Sequence, residues 1–275
     1  MRINVHAAAV GLALAAAAPA FAQVTAPESN IDTLPRFSAS GDWRVTVGAA
    51  ALVGPTFEGA DTLRALAVPD IDVRWRNRAF ASVRTGVGVN LVTDGGWRVG
   101  PYAKLNFGRD EGRSAKLKGL GDVDPTIEVG GFAEKSWRFA RASLEVRQGL
   151  GGHEGAVAEV GGDLRFRLSE RLAAAAGPRV RFADATYLQA FYGVDAAQSA
   201  RSGLARFAPE SGLESAGLAG ALVLRPQPRT TLTLFAEQSR LFGDAAESPL
   251  VRLRGARDQT RLGVAVGYRL GGAVN

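Results

Sequence analysis

Residues 157–168 read V-A-E-V-G-G-D-L-R-F-R-L, and their two alternate sets of side chains differ sharply. Val160, Leu164 and Phe166 belong to an apolar set, whereas Asp163 and Arg165 belong to a charged one. Because successive side chains of a strand point to opposite faces, the segment predicts a strand with one apolar and one charged face. Its length suits a tilted strand that crosses a bilayer, which needs roughly 9–11 residues.

Eleven such segments can be distinguished, most of them about 10–13 residues long, whereas strands of soluble proteins usually have about 5–6. A soluble β-sandwich also alternates, but here arginine and carboxylate side chains share the non-apolar faces. The sequence therefore predicts an all-β fold, a transmembrane antiparallel β-barrel. The predicted strands are about 43–53, 63–76, 81–91, 97–107, 125–135, 138–149, 157–168, 172–182, 215–225, 230–241 and 260–270.

Short turns alternate with longer connections, as in outer-membrane barrels with short periplasmic turns and long outer loops. The longer connections are residues 54–62, 108–124, 150–156, 183–214 and 242–257. Bacterial barrels have an even number of strands, so a turn is missing from the count. This missing turn must lie between residues 63 and 97, either at the break caused by Pro69 or at the pair Thr85-Gly86. We expect twelve strands, with ten as the alternative.

The charged faces would line the barrel interior, where arginines and carboxylates can pair. Arg109, in the connection 108–124, is expected to pair with an acid such as Glu128 rather than to join a cation site built from Asp110, Glu111, Asp122 and Asp124. The predicted interior charge network consists of Asp72, Arg74, Arg109, Glu128, Arg141, Glu145, Arg147, Glu159, Asp163, Arg165, Arg167, Arg179 and Arg181.

The N-terminal residues are typical of a secretory signal. Arg2 precedes an apolar run over 5–18, and residues 20–22 (AFA) form a small-x-small cleavage site. The predicted organisation is a signal peptide over 1–22, a flexible periplasmic segment over 23–41, and an outer-membrane barrel over 42–275.

The amino-acid composition excludes several classes of function. The chain has no cysteine, which excludes disulfides, thiolate nucleophiles and thiolate metal sites. Its net charge of +6 is spread over scattered arginines, so nucleic acid is not expected as a partner. Anionic lipopolysaccharide and outer-membrane lipid are better candidates. No phosphate loop, dinucleotide fingerprint or pair of metal-binding histidines occurs, so no cofactor and no metal are expected.

Taken in order, a series of short motifs resembles the MipA/OmpV family of outer-membrane proteins. They are residues 54–59 (GPTFEG), 69–75 (PDIDVRW), 88–91 (GVNL), 108–111 (GRDE), 117–124 (LKGLGDVD), 128–132 (EVGGF), 152–155 (GHEG), 183–189 (ADATYLQ), 191–194 (FYGV), 198–204 (QSARSGL) and 243–249 (GDAAESP). Each motif alone is weakly specific, and their order and spacing carry the resemblance. The chain departs from the family at its end, where Leu270 replaces the usual final aromatic residue and five residues follow.

The resemblance implies a monomeric, non-enzymatic outer-membrane barrel. The family's namesake is a scaffold that joins a lytic transglycosylase to a murein synthase, so a murein hydrolase and a synthase are expected partners. Other members resemble adhesion or envelope-stress proteins. A second hypothesis is a narrow pore that prefers anions because of its inward arginines.

A third hypothesis is an outer-leaflet lipid hydrolase that uses His153, the only histidine outside the signal peptide. A lone histidine among glycines is more often a hydrogen-bonding loop residue. Asp184 and Tyr187 complete the candidate loop motif. The aromatic residues Tyr187, Phe191, Tyr192 and Phe207 either form a contact surface or pack their loop over the barrel mouth, and we favour packing.

Overall fold

The computed structural model describes residues 43–270, and these residues form a closed barrel of twelve antiparallel strands in sequential order. The twelve-strand prediction is confirmed. The strands are β1 (Trp43–Pro55), β2 (Leu63–Trp75), β3 (Ala79–Ser82), β4 (Gly86–Val89), β5 (Trp97–Asn106), β6 (Thr126–Ser136), β7 (Ala140–Gly151), β8 (Ala156–Arg167), β9 (Leu172–Ala183), β10 (Gly212–Gln227), β11 (Thr230–Leu241) and β12 (Asp258–Leu270). Strands β1 and β12 pair and close the barrel. The predicted signal peptide and N-terminal segment lie outside the described residues.

The two ends of the barrel differ. At one end, here called the loop end, lie the long connections, which carry four short helices and two 3₁₀ turns. These elements are α1 (Ala185–Tyr192), α2 (Ala196–Ser202), α3 (Gly243–Glu247) and α4 (Pro249–Arg254), with the 3₁₀ turns Glu111–Arg113 and Ala115–Leu117. The opposite end, the turn end, carries short connections such as residues 137–139 and 228–229. Among residues 43–270 no helix is long and apolar enough to cross a membrane.

The alternation read in the sequence is present in the strands. In β8, Leu164 and Phe166 are exposed on the outer surface, whereas Asp163, which precedes Leu164, is buried inside. Tryptophans gather at the turn end, where Trp43 and Trp75 are register partners with ring centroids 6.1 Å apart. Apolar outer faces bordered by aromatic side chains are typical of outer-membrane barrels.

One predicted strand is wrong. Residues 81–91 do not form a single long strand, because the chain turns back at residues 83–85 between β3 and β4. The turn lies at Thr85-Gly86, one of the two places where the even strand count required it. Gly86 adopts a φ of +81°, a conformation that suits glycine. Each of the two strands has only four residues, so this hairpin is far shorter than the rest of the wall.

We expected charged side chains on all sides of the barrel interior, but the structure places them on only part of it. Side chains of β5–β9 supply most of the predicted charges, but the opposite wall contains an apolar cluster inside the barrel. This interior apolar cluster consists of Ala50, Leu52, Ala221, Phe235 and Ala265, with Val68 packed against it. Gly263 is required here, because a Cβ at that position would lie 1.9 Å from the Phe235 ring. Small and apolar side chains on β1 and β10–β12 therefore fill this part of the lumen.

Two further apolar clusters lie under the connections of the loop end. One joins α1 and α3 to the barrel rim through Tyr187, Leu188, Phe191 and Tyr192. The other packs Phe57 and Leu117 with residues of the remaining loops. The loop aromatics Tyr187, Phe191 and Tyr192 are buried, so the packing alternative is confirmed for them. The loops consequently form a compact cover over this end of the barrel.

Candidate functional site

A ladder of ion pairs crosses the charged wall of the barrel from β5 to β9. Arg98 Nη2 lies 3.0 Å from Glu134 Oε2, and the same oxygen lies 3.1 Å from Arg141 Nη1. Arg141 Nη2 contacts Asp163 Oδ2 at 2.5 Å, and Asp163 Oδ1 accepts from Arg179 Nη2 at 2.7 Å. Each member lies on a neighbouring strand and is buried, so the ladder joins five strands inside the lumen.

A second set of ion pairs lies nearer the loop end and starts at Glu128. Arg147 Nε donates to Glu128 Oε2 at 2.8 Å, and Arg147 Nη1 donates to Glu145 Oε2 at 3.0 Å. Tyr102 Oη donates to the same Glu145 oxygen at 2.6 Å. Arg147 Nη2 also lies 3.6 Å from Glu159 Oε2 on β8. One guanidinium therefore holds three carboxylates together.

This second set of ion pairs continues around the lumen through Arg181 and Arg261. Arg181 lies 3.5 Å from Glu159 and 3.6 Å from Glu214, whose Oε1 accepts from Tyr192 Oη at 2.8 Å. The next pairs are Arg261 with Glu58 and with Glu237, each at 3.0 Å. Charges of opposite sign thus alternate over most of the barrel circumference.

Several other predicted members lie outside these two sets of ion pairs, although Arg74 lies beside Arg98 and Glu134. Asp72 and Arg74 are two residues apart on β2 and pair with each other at 2.9 Å. Arg165 donates to the backbone carbonyls of Trp137 and Ala140 and so binds the adjacent turn. Arg167 lies at the turn end.

The predicted pairing of Arg109 with Glu128 is wrong. Arg109 Nη1 donates to the Phe191 carbonyl at 2.8 Å, which ties the connection 107–125 to α1. Glu128 instead pairs with Arg147 and contacts His153. Burial lowers the Arg109 pKa to about 10, although the nearby Asp122 and Glu111 carboxylates favour its charged form. Arg109 therefore fastens one loop to another from outside the interior network.

The residues of the candidate loop motif, His153, Asp184 and Tyr187, pack together beneath the loop end. His153 Nε2 lies 3.0 Å from Glu128 Oε1, and the His153 N–H donates to Thr126 Oγ1 at 2.8 Å. The Tyr187 ring packs against the imidazole with centroids 5.0 Å apart. Asp184 caps α1 by accepting from the Tyr187 N–H at 2.7 Å. The histidine thus connects three elements of the loop end.

The described surroundings of His153 lack the groups that a hydrolytic site requires. The His153 side chain is fully buried, and its ring nitrogens form no hydrogen bond with a hydroxyl group in the part of the chain that the structure describes. A catalytic imidazole needs a nucleophile or a water within hydrogen-bond reach of the substrate. Within residues 43–270, no three His, Asp or Glu side chains converge as a metal site would require. Packing and hydrogen bonding account for the position of this residue.

The ion pairs surround a polar cavity that is partly open to solvent. Its charged lining is balanced, with four acids and four cations: Glu58, Glu159, Glu214, Glu237, Lys104, Arg179, Arg181 and Arg261. A second cavity lies between Phe80, Tyr102, Phe132 and the start of the ladder. The two cavities are lined by different residues.

Arginines gather at the turn end of the lumen. The charges that act most strongly on Arg225 are those of Arg269, Arg167 and Arg44. Arg269 in turn lies within electrostatic range of Arg44 and Arg229. We call these five residues the arginine cluster. It is spread over β1, β8, β10, β12 and the turn 228–229, and it brings five guanidinium groups to this mouth of the barrel.

Several members of the interior network escaped the sequence analysis. Arg98 and Glu134 alternate with outward residues of their strands, and this signal would have placed them inside. Glu58 and Glu214 fall in segments that read as connections, where no alternation indicates which way a side chain points. Glu237 and Arg261 lie in predicted strands, and the register that pairs them is visible only in the structure.

Comparison with known proteins assigns a family. The family model described as "MltA-interacting protein MipA" matches residues 47–270. A comparison with curated protein sequences gives no match.

Solved structures of similar shape include the NanC porin, with a TM-score of 0.41 and 9% identity over 82% of this chain and 100% of that one. An outer membrane channel from Pseudomonas putida F1 has a TM-score of 0.45 and 9% identity over 85% of this chain and 97% of that one. OmpT of Vibrio cholerae has a TM-score of 0.35 and 7% identity over 86% of this chain and 100% of that one. On the strength of the family match, the chain belongs to the MipA family and is a twelve-stranded β-barrel of the outer-membrane type.

Proposed function

We propose that this protein is a monomeric, non-enzymatic scaffold of the outer membrane that holds murein-remodelling enzymes at its turn end. Its apolar outer surface, with the tryptophans at one rim, fits a barrel embedded in lipid. The short turns then face the periplasm, and the loop end meets lipopolysaccharide. The family description names an interaction with MltA, and the resemblance stated above extends this to a lytic transglycosylase and a murein synthase.

The observation that carries the proposal is the contrast between the two ends of the barrel. Among the described residues, the loop end is covered by packed helices and its lumen is crossed by ion pairs, both of which obstruct the passage of solutes. The turn end presents the arginine cluster instead. Five guanidinium groups around one mouth would attract an acidic surface of a periplasmic partner, because charge complementarity steers association and fixes orientation.

The test is affinity capture from envelope extracts with matched charge reversals. The baits are wild type, Arg225→Glu/Arg269→Glu in the arginine cluster, and Arg240→Glu/Arg252→Glu, which changes exposed arginines near the loop end. We expect wild type and the loop-end variant to recover a murein hydrolase or synthase, identified by mass spectrometry. The cluster variant should recover at least tenfold less. Recovery of no murein enzyme, or equal recovery by all three baits, would overturn the proposal.

The pore hypothesis has one observation in its favour, the polar cavity beside the ion pairs. That cavity is lined by equal numbers of acids and cations, so it offers no preference for anions. Passage of a solute would also require buried pairs such as Arg141 with Asp163 to separate, at a cost of several kcal/mol. The scaffold is therefore the better-supported function.

A further inference from the structure

The arginine cluster lies at the mouth through which the chain enters the barrel. Arg44, a member of the cluster, is the second residue of β1, which begins at Trp43. Arg269 lies on β12, where its register partner on β1 is Thr46. The Arg269 N–H donates to the Arg229 carbonyl at 2.8 Å. The residues that precede β1 therefore join the barrel beside the cluster.

Strand alternation directs the cluster into this mouth. Arg44 shares a face of β1 with Ala50 of the interior apolar cluster, and Arg167 shares a face of β8 with the buried Asp163. Arg269 lies four residues beyond the member of the interior apolar cluster on β12 and so shares its face. Because alternate residues of a strand point the same way, these guanidinium groups extend toward the lumen rather than toward the outer surface.

Positive charge predominates at this mouth in the part of the chain that the structure describes. The charges that act most strongly on Arg225 and Arg269 are all arginines. Asp72 lies within electrostatic range of Arg44, but its carboxylate pairs with Arg74 at 2.9 Å. Like charges around one mouth repel each other, so carboxylates that enter it are attracted and offset the repulsion.

Residues 23–42, which we call the leading segment, carry the opposite charge. They contain the acids Glu28, Asp32 and Asp42 and a single base, Arg36. The eleven residues from Asp32 to the start of β1 can span at most about 36–40 Å. Twelve strands about 4.8 Å apart and tilted by about 40° enclose a mouth roughly 25 Å across. Glu28 and Asp32 can therefore reach every member of the arginine cluster.

We propose that the leading segment crosses the mouth of the barrel and docks on the arginine cluster, where Glu28 and Asp32 form ion pairs with it. The covalent link favours this occupant over a separate acidic protein, because a short linker gives an effective concentration on the order of millimolar. The docking does not depend on the murein partners. If these bind as proposed above, they have to displace the leading segment, which then acts as an autoinhibitory cover of the same surface.

Distance measurements between two spin labels test the docking, and the absence of cysteine allows labelling at chosen sites. One label is attached to Asn30→Cys, which lies between the two acids of the leading segment. The other is attached to Gln227→Cys, an exposed residue at the turn end of β10. Pulsed dipolar spectroscopy of the full mature chain in lipid vesicles then gives the distribution of distances between the labels.

Three sets of substitutions are compared in this doubly labelled chain. Glu28→Gln/Asp32→Gln neutralises the leading segment and leaves the sequence of the barrel unchanged. The charge exchange combines Glu28→Arg/Asp32→Arg with Arg225→Glu/Arg269→Glu. The matched control is Arg240→Gln/Arg252→Gln, which removes two exposed arginines near the loop end. If the exchanged barrel does not fold, the chain with its native charges and the neutralised variant decide the outcome.

We expect a narrow distribution, centred below the mouth width of roughly 25 Å, for the chain with its native charges and for the loop-end control. Neutralising the acids should widen the distribution at least twofold, and the charge exchange should narrow it again. A distribution that is equally wide with and without the two acids would overturn the proposal, as would a folded charge exchange that stays wide.

Affinity capture from envelope extracts tests the autoinhibitory consequence separately. The neutralised variant should recover at least threefold more murein enzyme than wild type, because the arginine cluster is then uncovered. Equal recovery by the two baits would contradict the autoinhibitory role. Recovery of no murein enzyme, together with a narrow distance distribution, would instead contradict the proposed function and leave the docking in place.

Discussion

Arg141 and Asp163 are register partners on β7 and β8, and their side chains meet at 2.5 Å inside the barrel. Arg141 also contacts Glu134 at 3.1 Å, so one buried guanidinium balances two buried carboxylates. The stabilising effect of such a pair depends on both partners being present. Removing one leaves the other charge desolvated and uncompensated.

Arg141→Ala should therefore destabilise the folded barrel by about 3–5 kcal/mol. The measurement is urea unfolding in lipid vesicles, followed by tryptophan fluorescence. The control is Arg240→Ala, which removes an ion pair with Asp258 whose side chains are more than half exposed. That variant should lose at most about 1 kcal/mol. Similar losses for the two variants would show that the ladder does not stabilise the wall.

The buried tyrosines predict a loss of stability in alkali. Burial, reinforced by the Glu214 carboxylate, raises the pKa of Tyr192 and of Tyr187 well above the usual value. The unfolded chain releases these protons near pH 10, whereas the folded protein retains them. Folding stability due to these groups is complete below pH 10 and falls as pH rises beyond it.

This effect is measured as the free energy of unfolding between about pH 9 and 12, a range that spans the ordinary tyrosine pKa. Tyr192→Phe should make the decline shallower, because it removes one of the two hydroxyls whose pKa is raised. Tyr268→Phe, which changes an exposed ring, leaves both of these hydroxyls in place and serves as the control. A slope that is unaffected by Tyr192→Phe would refute the assignment.

His153 is predicted to hold the loop end together and not to catalyse. Its ring contacts Glu128 at 3.0 Å and packs on Tyr187. His153→Phe should destabilise the protein by about 1–3 kcal/mol, the usual cost of leaving a buried polar partner unsatisfied. His153→Gln, which can still donate to Glu128, should lose less. Phospholipid hydrolysis by the purified protein should equal background in all three forms, and hydrolysis that disappears in both variants would contradict this account.

The sequence predicts the long strands well because their alternation extends over many residues. In β8, outward Leu164 and Phe166 and inward Asp163 are all placed correctly. The sequence does not predict the β3–β4 hairpin, because a strand of four residues shows too few alternations to reveal that the chain reverses direction. The ladder partners follow from strand register, which pairs Arg141 with Asp163 and which a single sequence does not specify. Glu214 lies where β10 extends into a segment that reads as a loop, so only the fold reveals that it is buried.

The central claim is that the lumen is closed by its own ion pairs and loops, so that the protein acts by presenting its surfaces. Planar-bilayer recording of the purified protein tests this most directly. We predict no stable conductance steps for wild type. We expect intermittent current from Arg147→Ala/Arg181→Ala, which removes the guanidinium groups that bridge Glu128, Glu159 and Glu214. Stable, uniform steps from wild type, with a size that scales with salt concentration, would contradict the claim and identify a pore.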